Sequence, residues 1–139
     1  MKELLVLLRS MQLFAHSAHH LVARAPFHAD HEFFSSVYQE AESDFDGVAE
    51  RIIGTMGEEH MELSSLMMGV MANLKGAPSV GVKENSSFYM FQLALEDKLC
   101  SLVAAIVSQD VSPGVEQLVG DICNRAEMRK YKIKQRLKK

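Results

Sequence analysis

At 139 residues and 47% hydrophobic, the chain is long enough to bury one apolar core and falls in the size range of a single domain, so residues 1–139 are read as one. A formal net charge of −3 excludes a protein coated in basic charge and confines any nucleic-acid contact to a local patch. Cys100 and Cys123 each fall within an apolar helical pattern and read as reduced core thiols, not a disulfide framework, which suits a cytoplasmic protein.

Leu4, Leu8, Met11, Ala15, Ala18 and Val22 recur at three- and four-residue steps, which predicts one buried face of a helix ending near Ala23. Glu3, Arg9, Gln12 and three histidines interrupt this segment before it could span a bilayer, and no small-residue cleavage site follows. Neither a membrane anchor nor a signal peptide is expected. Residues 24–27 break the pattern, and Asp30 is the expected N-cap of a second helix. Phe34, Tyr38, Ala41, Phe45, Val48 and Ile52 form its apolar stripe, and Gly54 and Gly57 end it.

A shorter helical stretch is expected over roughly residues 58–74, with Met61, Met67, Met68 and Met71 as apolar packing. Its carboxylate-rich start, Glu58, Glu59 and Glu62 around His60, is explained by the helix dipole, with an ion-entry role as the alternative. Residues 76–81 are rich in glycine and proline and read as the main loop. Phe88, Phe91, Leu95, Leu99, Leu102 and Ile106 mark a third long helix. Ser112 and Pro113 then give the N-cap and first turn of a last one, which buries Val115, Leu118, Ile122 and Ala126. The expected class is all-α: four long helices, with a short extra helix on the crossover between the second and third. This order resembles a ferritin-like four-helix bundle, in which those two helices run the same way.

Asp46 and Glu50, four residues apart, project from one face of the second helix, with His31, Ser35 and Glu42 nearby. The first helix offers His16, His19 and His20. Carboxylates together with imidazoles suit iron, because hard oxygen and borderline nitrogen donors can hold both of its common oxidation states. The bland alternative for Asp46 and Glu50 is a solvated helix face.

The run from His19 to Phe27, then His31-Glu32, Tyr38 and Asp46-Gly47-Val48-Ala49-Glu50-Arg51, resembles the Dps family signature. That signature has a histidine, a second histidine early on the next helix, and a D-x-x-A-E-R segment. The resemblance is specific over residues 19–51 and architectural elsewhere. It implies a ferroxidase that oxidises ferrous iron, with hydrogen peroxide as the favoured oxidant, and stores ferric mineral inside a hollow homododecamer. It also implies a metal site shared between two subunits, with His19 and His31 from one and Asp46 and Glu50 from the other.

Two positions depart from the family pattern. Ser35 stands where an aspartate is common, which removes a negative charge from the site, and His20 stands where a tryptophan is common. Ser35, His20 and Glu42 are therefore the residues on which an altered ligand set would turn. Two other readings remain: a binding or protective scaffold without oxidase activity, and a metal site inside one bundle using His16 or His20 with Glu42 and Glu96.

The C-terminal segment concentrates positive charge in Arg125, Arg129, Lys130, Lys132, Lys134, Arg136, Lys138 and Lys139. One reading is contact with the phosphates of DNA, which would be sequence-independent and salt-sensitive. The other is a cationic helix end that complements the dipole and aids solubility. Tyr131 alone offers an aromatic face, so base stacking is not expected.

Overall fold

The computed structural model describes residues 1–138. Five α-helices account for most of them: α1 (Lys2–Leu21), α2 (Phe27–Met56), α3 (Leu63–Asn73), α4 (Ser86–Val107) and α5 (Pro113–Leu137), with a 3-10 turn at Glu58–Met61. No strand occurs among the described residues. No helix among them is long and apolar enough to cross a membrane.

Each apolar stripe expected from the periodicity faces inward. Leu4, Leu8, Met11, Ala15 and Ala18 of α1 are closed to solvent, as are Phe34, Ala41 and Val48 of α2, Leu99 of α4, and Ile122 and Ala126 of α5. The first helix buries more than one stripe, because Leu5 and Leu7 are also closed to solvent and Phe14 nearly so. It has neighbours on several sides: α2, α3 and α4 all pack on it.

Named contacts fix the helix directions. Phe14 near the end of α1 meets Phe88 and Phe91 near the start of α4, so these two helices are antiparallel. Phe34, early on α2, meets Phe88 and Tyr89, so α2 and α4 begin at the same end and run the same way. Going up α5, Arg125 pairs with Asp44 of α2, Arg129 with Glu40 and Arg136 with Asp30, which makes α5 antiparallel to α2.

The connection from α2 to α4 carries α3, and α3 lies against α1. The two are tightly packed at Gly69, where an added Cβ would sit 2.6 Å from Val6 Cγ1. Glu62 caps α3 by accepting from the Ser64 and Ser65 backbone N–H groups at 3.1 and 2.7 Å. Ser112 does the same for α5, accepting from Val115 N–H at 3.3 Å, as its sequence position predicts.

Three expectations are corrected. First, α2 begins at Phe27, directly after Pro26, and Asp30 lies inside its first turn instead of capping it. The Asp30 carboxylate is fully buried and accepts from Tyr89 Oη at 2.6 Å, Asn85 Nδ2 at 2.8 Å and Arg136 at 2.9 and 3.0 Å, donors that replace backbone N–H groups. Second, of α3 only Leu66 and Val70 are buried, while Met68 and Met71 are 73% and 72% exposed, so those methionines are not packing within the chain. Third, the cysteines are free, as expected, but they are half-buried against the core instead of inside it. Burial, followed by the hydrogen bond and charge of neighbouring Cys123, pushes the Cys100 thiol up to about 11.

Candidate metal site

The end of α1 and the start of α2 bring His19 and His31 face to face. Their ring centroids are 3.7 Å apart with 25° between the planes. Phe27 stacks on the outer side of His31 at 5.0 Å, and Tyr38 stands edge-on to His19 at 5.5 Å. Both histidines are half-buried. Each ring also bonds to the other residue's backbone: His19 Nδ1 to the His31 carbonyl and His31 Nδ1 to the His19 carbonyl, both at 2.8 Å. A carbonyl oxygen can only accept, so the hydrogen is on Nδ1 in both rings. In the neutral imidazole this leaves Nε2 with its lone pair, the arrangement in which a backbone carbonyl orients a histidine for metal ligation.

Asp46 and Glu50 lie on the exposed face of α2, with Glu42 one turn earlier. Among the described residues none of the three makes an ion pair. Asp46 is fifteen residues beyond His31, roughly 22 Å along a straight helix at the standard rise. The histidine pair and the carboxylate pair of one chain therefore cannot hold the same ion. Consistent with this separation, no group of three or more His, Cys, Asp or Glu within metal-binding reach occurs among the described residues.

Ser35 is half-buried, and its Oγ accepts from Gln39 Nε2 at 3.0 Å. It brings no charge to the histidines. His20 is exposed; its ring lies 5.0 Å from those of His16 and His19, and His16 is 4.4 Å from Tyr38.

The intrabundle grouping is not assembled. Glu96 is fully buried, but it faces Arg129: Arg129 Nε donates to its Oε1 at 2.7 Å and Nη2 to its Oε2 at 3.0 Å, while Nη1 donates to Glu40 at 2.6 Å. His16, His20 and Glu42 are all on the outside. An arginine thus bridges the Glu96 and Glu40 carboxylates and already neutralises the buried one. Burial pushes the Glu96 carboxyl above its ordinary range despite that arginine. Gln92 donates to Glu96 at 2.8 Å, and its own Oε1 is buried without a partner.

Arg129, grouped in the sequence with the phosphate-contacting cations, is only 3% exposed, so its guanidinium is withdrawn from any external ligand. Lys130 is tied to Asp97 at 2.7 Å and Arg136 to Asp30. Lys132, Lys134 and Lys138 are exposed. Lys139 lies outside the described residues.

The buried Arg129–Glu96–Glu40 network, Arg125 on Asp44 and the Asp30 cluster are the polar features that the sequence pattern missed. A signal was available for one of them. Ile122, Ala126, Arg129 and Ile133 share one face at four- and three-residue steps, and all four are buried. No family model matches this chain, nor does any curated protein or solved structure.

Proposed function

We propose that the chain is a Dps-like ferroxidase and iron-storage protein, with a ferritin-like four-helix bundle and a metal site completed only between two copies. The observation that carries this reading is the His19–His31 pair, whose reciprocal Nδ1 bonds leave both Nε2 atoms free for metal. A ligand pair with no internal hydrogen-bonding role for its free nitrogens fits metal capture better than packing alone. The same-way run of α2 and α4, joined by a crossover bearing α3, is the topology such a bundle requires.

Ferrous iron is the substrate. Two neutral imidazoles from one copy would meet Asp46 and Glu50 of a second, and those carboxylates would supply the negative charge that favours the ferric product. With hydrogen peroxide as oxidant, two ferrous ions each give one electron and the peroxide is reduced to two waters on taking up two protons. Both reagents of hydroxyl-radical formation are removed together. Exposed apolar side chains at Ile53, Met56, Leu63, Met68 and Met71 offer surface for the self-association, toward a dodecamer, that the shared site demands.

Ser35, bonded to Gln39 and uncharged, favours a second reading: a cage that assembles and binds but no longer oxidises iron. Anaerobic ferrous titration followed by peroxide separates the two. The ferroxidase reading expects stoichiometric binding and fast oxidation in the wild type and neither in His31→Ala or Glu50→Ala. Assemblies co-refolded from those two variants should regain part of the activity, because some interfaces then combine an intact histidine pair with an intact carboxylate pair. Absence of peroxide-dependent oxidation in assembled wild type selects the scaffold, and full activity in an isolated monomer overturns the shared site.

A further inference from the structure

The turn between α1 and α2, the start of α4 and the end of α5 surround an open cavity of about 330 Å³. Its wall includes Arg24, Lys83, Glu84, Ser86, Arg136 and Lys138. We propose that this cavity is a binding site for a phosphoryl oxyanion. The inference does not depend on iron and goes beyond the ferroxidase reading.

Arg136 is neutralised by Asp30, and Glu84 offsets one of the other three cations, which leaves two positive charges on the wall. A phosphate dianion matches that surplus. Lys83 and Lys138 line this cavity, are exposed and make no side-chain bond or ion pair among the described residues, so neither charge is used by an internal contact. Like charges gathered round a concavity raise the local concentration of anions.

The start of α4 adds donors to the cavity wall. Asn85 occupies the N-cap position but does not cap. Its side chain instead ties the α1–α2 turn to α4, accepting from Ala23 N–H at 3.1 Å and donating to the Ala23 carbonyl and to Asp30, both at 2.8 Å. The Ser86 N–H, at the cavity wall, is left with no internal acceptor, at the positive end of a 22-residue helix. Arg24 adds a fixed donor plane. Its Nη1 is anchored on the Lys83 carbonyl, and its backbone holds φ of 63°, a left-handed conformation uncommon outside glycine and asparagine. Guanidinium, ammonium and backbone N–H groups arriving from three segments are the donor set that recognises a tetrahedral oxyanion.

The same chemistry could come from free phosphate or from the backbone of a nucleic acid, and the test separates them. Inorganic phosphate is titrated into the full-length protein at low ionic strength by calorimetry, for the wild type and for the Lys83→Ala, Lys138→Ala double variant. Neither lysine side chain has a bond to lose, so circular dichroism should report unchanged folding. The expected result is saturable binding that the double variant weakens by about tenfold or more. A fluorescent duplex DNA is titrated in parallel, with phosphate as competitor. Duplex binding that phosphate displaces and the double variant loses identifies a nucleic-acid backbone as the source; phosphate binding to which duplex is indifferent identifies the free ion. No phosphate binding at millimolar concentration, or equal binding by wild type and double variant, overturns the proposal.

Discussion

His19 and His31 each donate Nδ1–H to the other's backbone carbonyl at 2.8 Å, while their rings stack at 3.7 Å. Each residue's backbone carbonyl therefore fixes the tautomer of the other's ring. Nitrogen-15 NMR of the imidazoles at mildly alkaline pH should show both residues with hydrogen on Nδ1, against the Nε2–H form that free histidine prefers. In His31→Ala the backbone carbonyl that accepts from His19 Nδ1 remains, so His19 should keep its hydrogen on Nδ1 while its ring signals shift with the loss of the stacked partner. A His19 ring with hydrogen on Nε2 in the wild type would remove the ligand geometry on which the metal reading rests.

The Arg129–Glu96 pair is expected to be strongly destabilising when broken from one side. Both side chains are out of water, so Arg129→Met leaves the buried Glu96 carboxylate uncompensated, at a cost of about 3–5 kcal/mol. The Arg129→Met, Glu96→Met double variant should recover most of this loss, because apolar groups of similar volume then replace both charges. Urea unfolding midpoints provide the check. A double variant as unstable as the single would mean that packing, not the stranded charge, sets the cost.

Asp30 gives the fold an acid-sensitive component. Burial alone would raise its pKa, but the hydrogen bonds from Arg136, Tyr89 and Asn85 together hold it below its ordinary 3.8. A carboxyl whose folded pKa is depressed stabilises the native state above the unfolded value and loses that contribution as pH falls through the lower, folded one. The stability gap between wild type and Asp30→Asn should thus be full above pH 3.8 and close on further acidification. A gap that stays constant through this range would show that the shift does not contribute.

Gly69 has no room for a methyl group, since a Cβ would press on a stiff, branched Val6 at 2.6 Å. Gly69→Ala should lower stability by about 1–3 kcal/mol through overpacking. Adding Val6→Ala removes the clashing atom and should return part of the loss. Thermal melts that rank the double variant below Gly69→Ala would contradict this account.

The helices were legible because their apolar residues repeat at helical spacing, and this periodicity survives whatever the partner elements are. Boundaries were less so: Asp30 carries the signature of a cap, yet long-range donors on α4 and α5 outcompete the local one, and such partners leave no mark near residue 30. Arg129 was misread because a basic run at a helix end looks solvated, although its position in the stripe with Ile122, Ala126 and Ile133 places it inside. His19 and His31 came from the family resemblance, and their mutual bonds could not be read from spacing. Ser35 was recognisable as a gap in the ligand set, but its bond to Gln39 was not.

Arg125, Arg129 and Arg136, four and seven residues apart on α5, meet acids four and ten residues apart on α2. Because those intervals are unequal, they act as a vernier. Sliding α5 by one turn, about 5.4 Å, could bring Arg125 opposite Glu40, but would leave Arg129 near Val37 and carry Arg136 past the start of α2. Only one docked position satisfies all three, so the last helix should seat in a single register or not at all. Lys138, two residues beyond Arg136 and one of the free cations on the cavity wall, thereby takes its place from three arginines set along the helix before it.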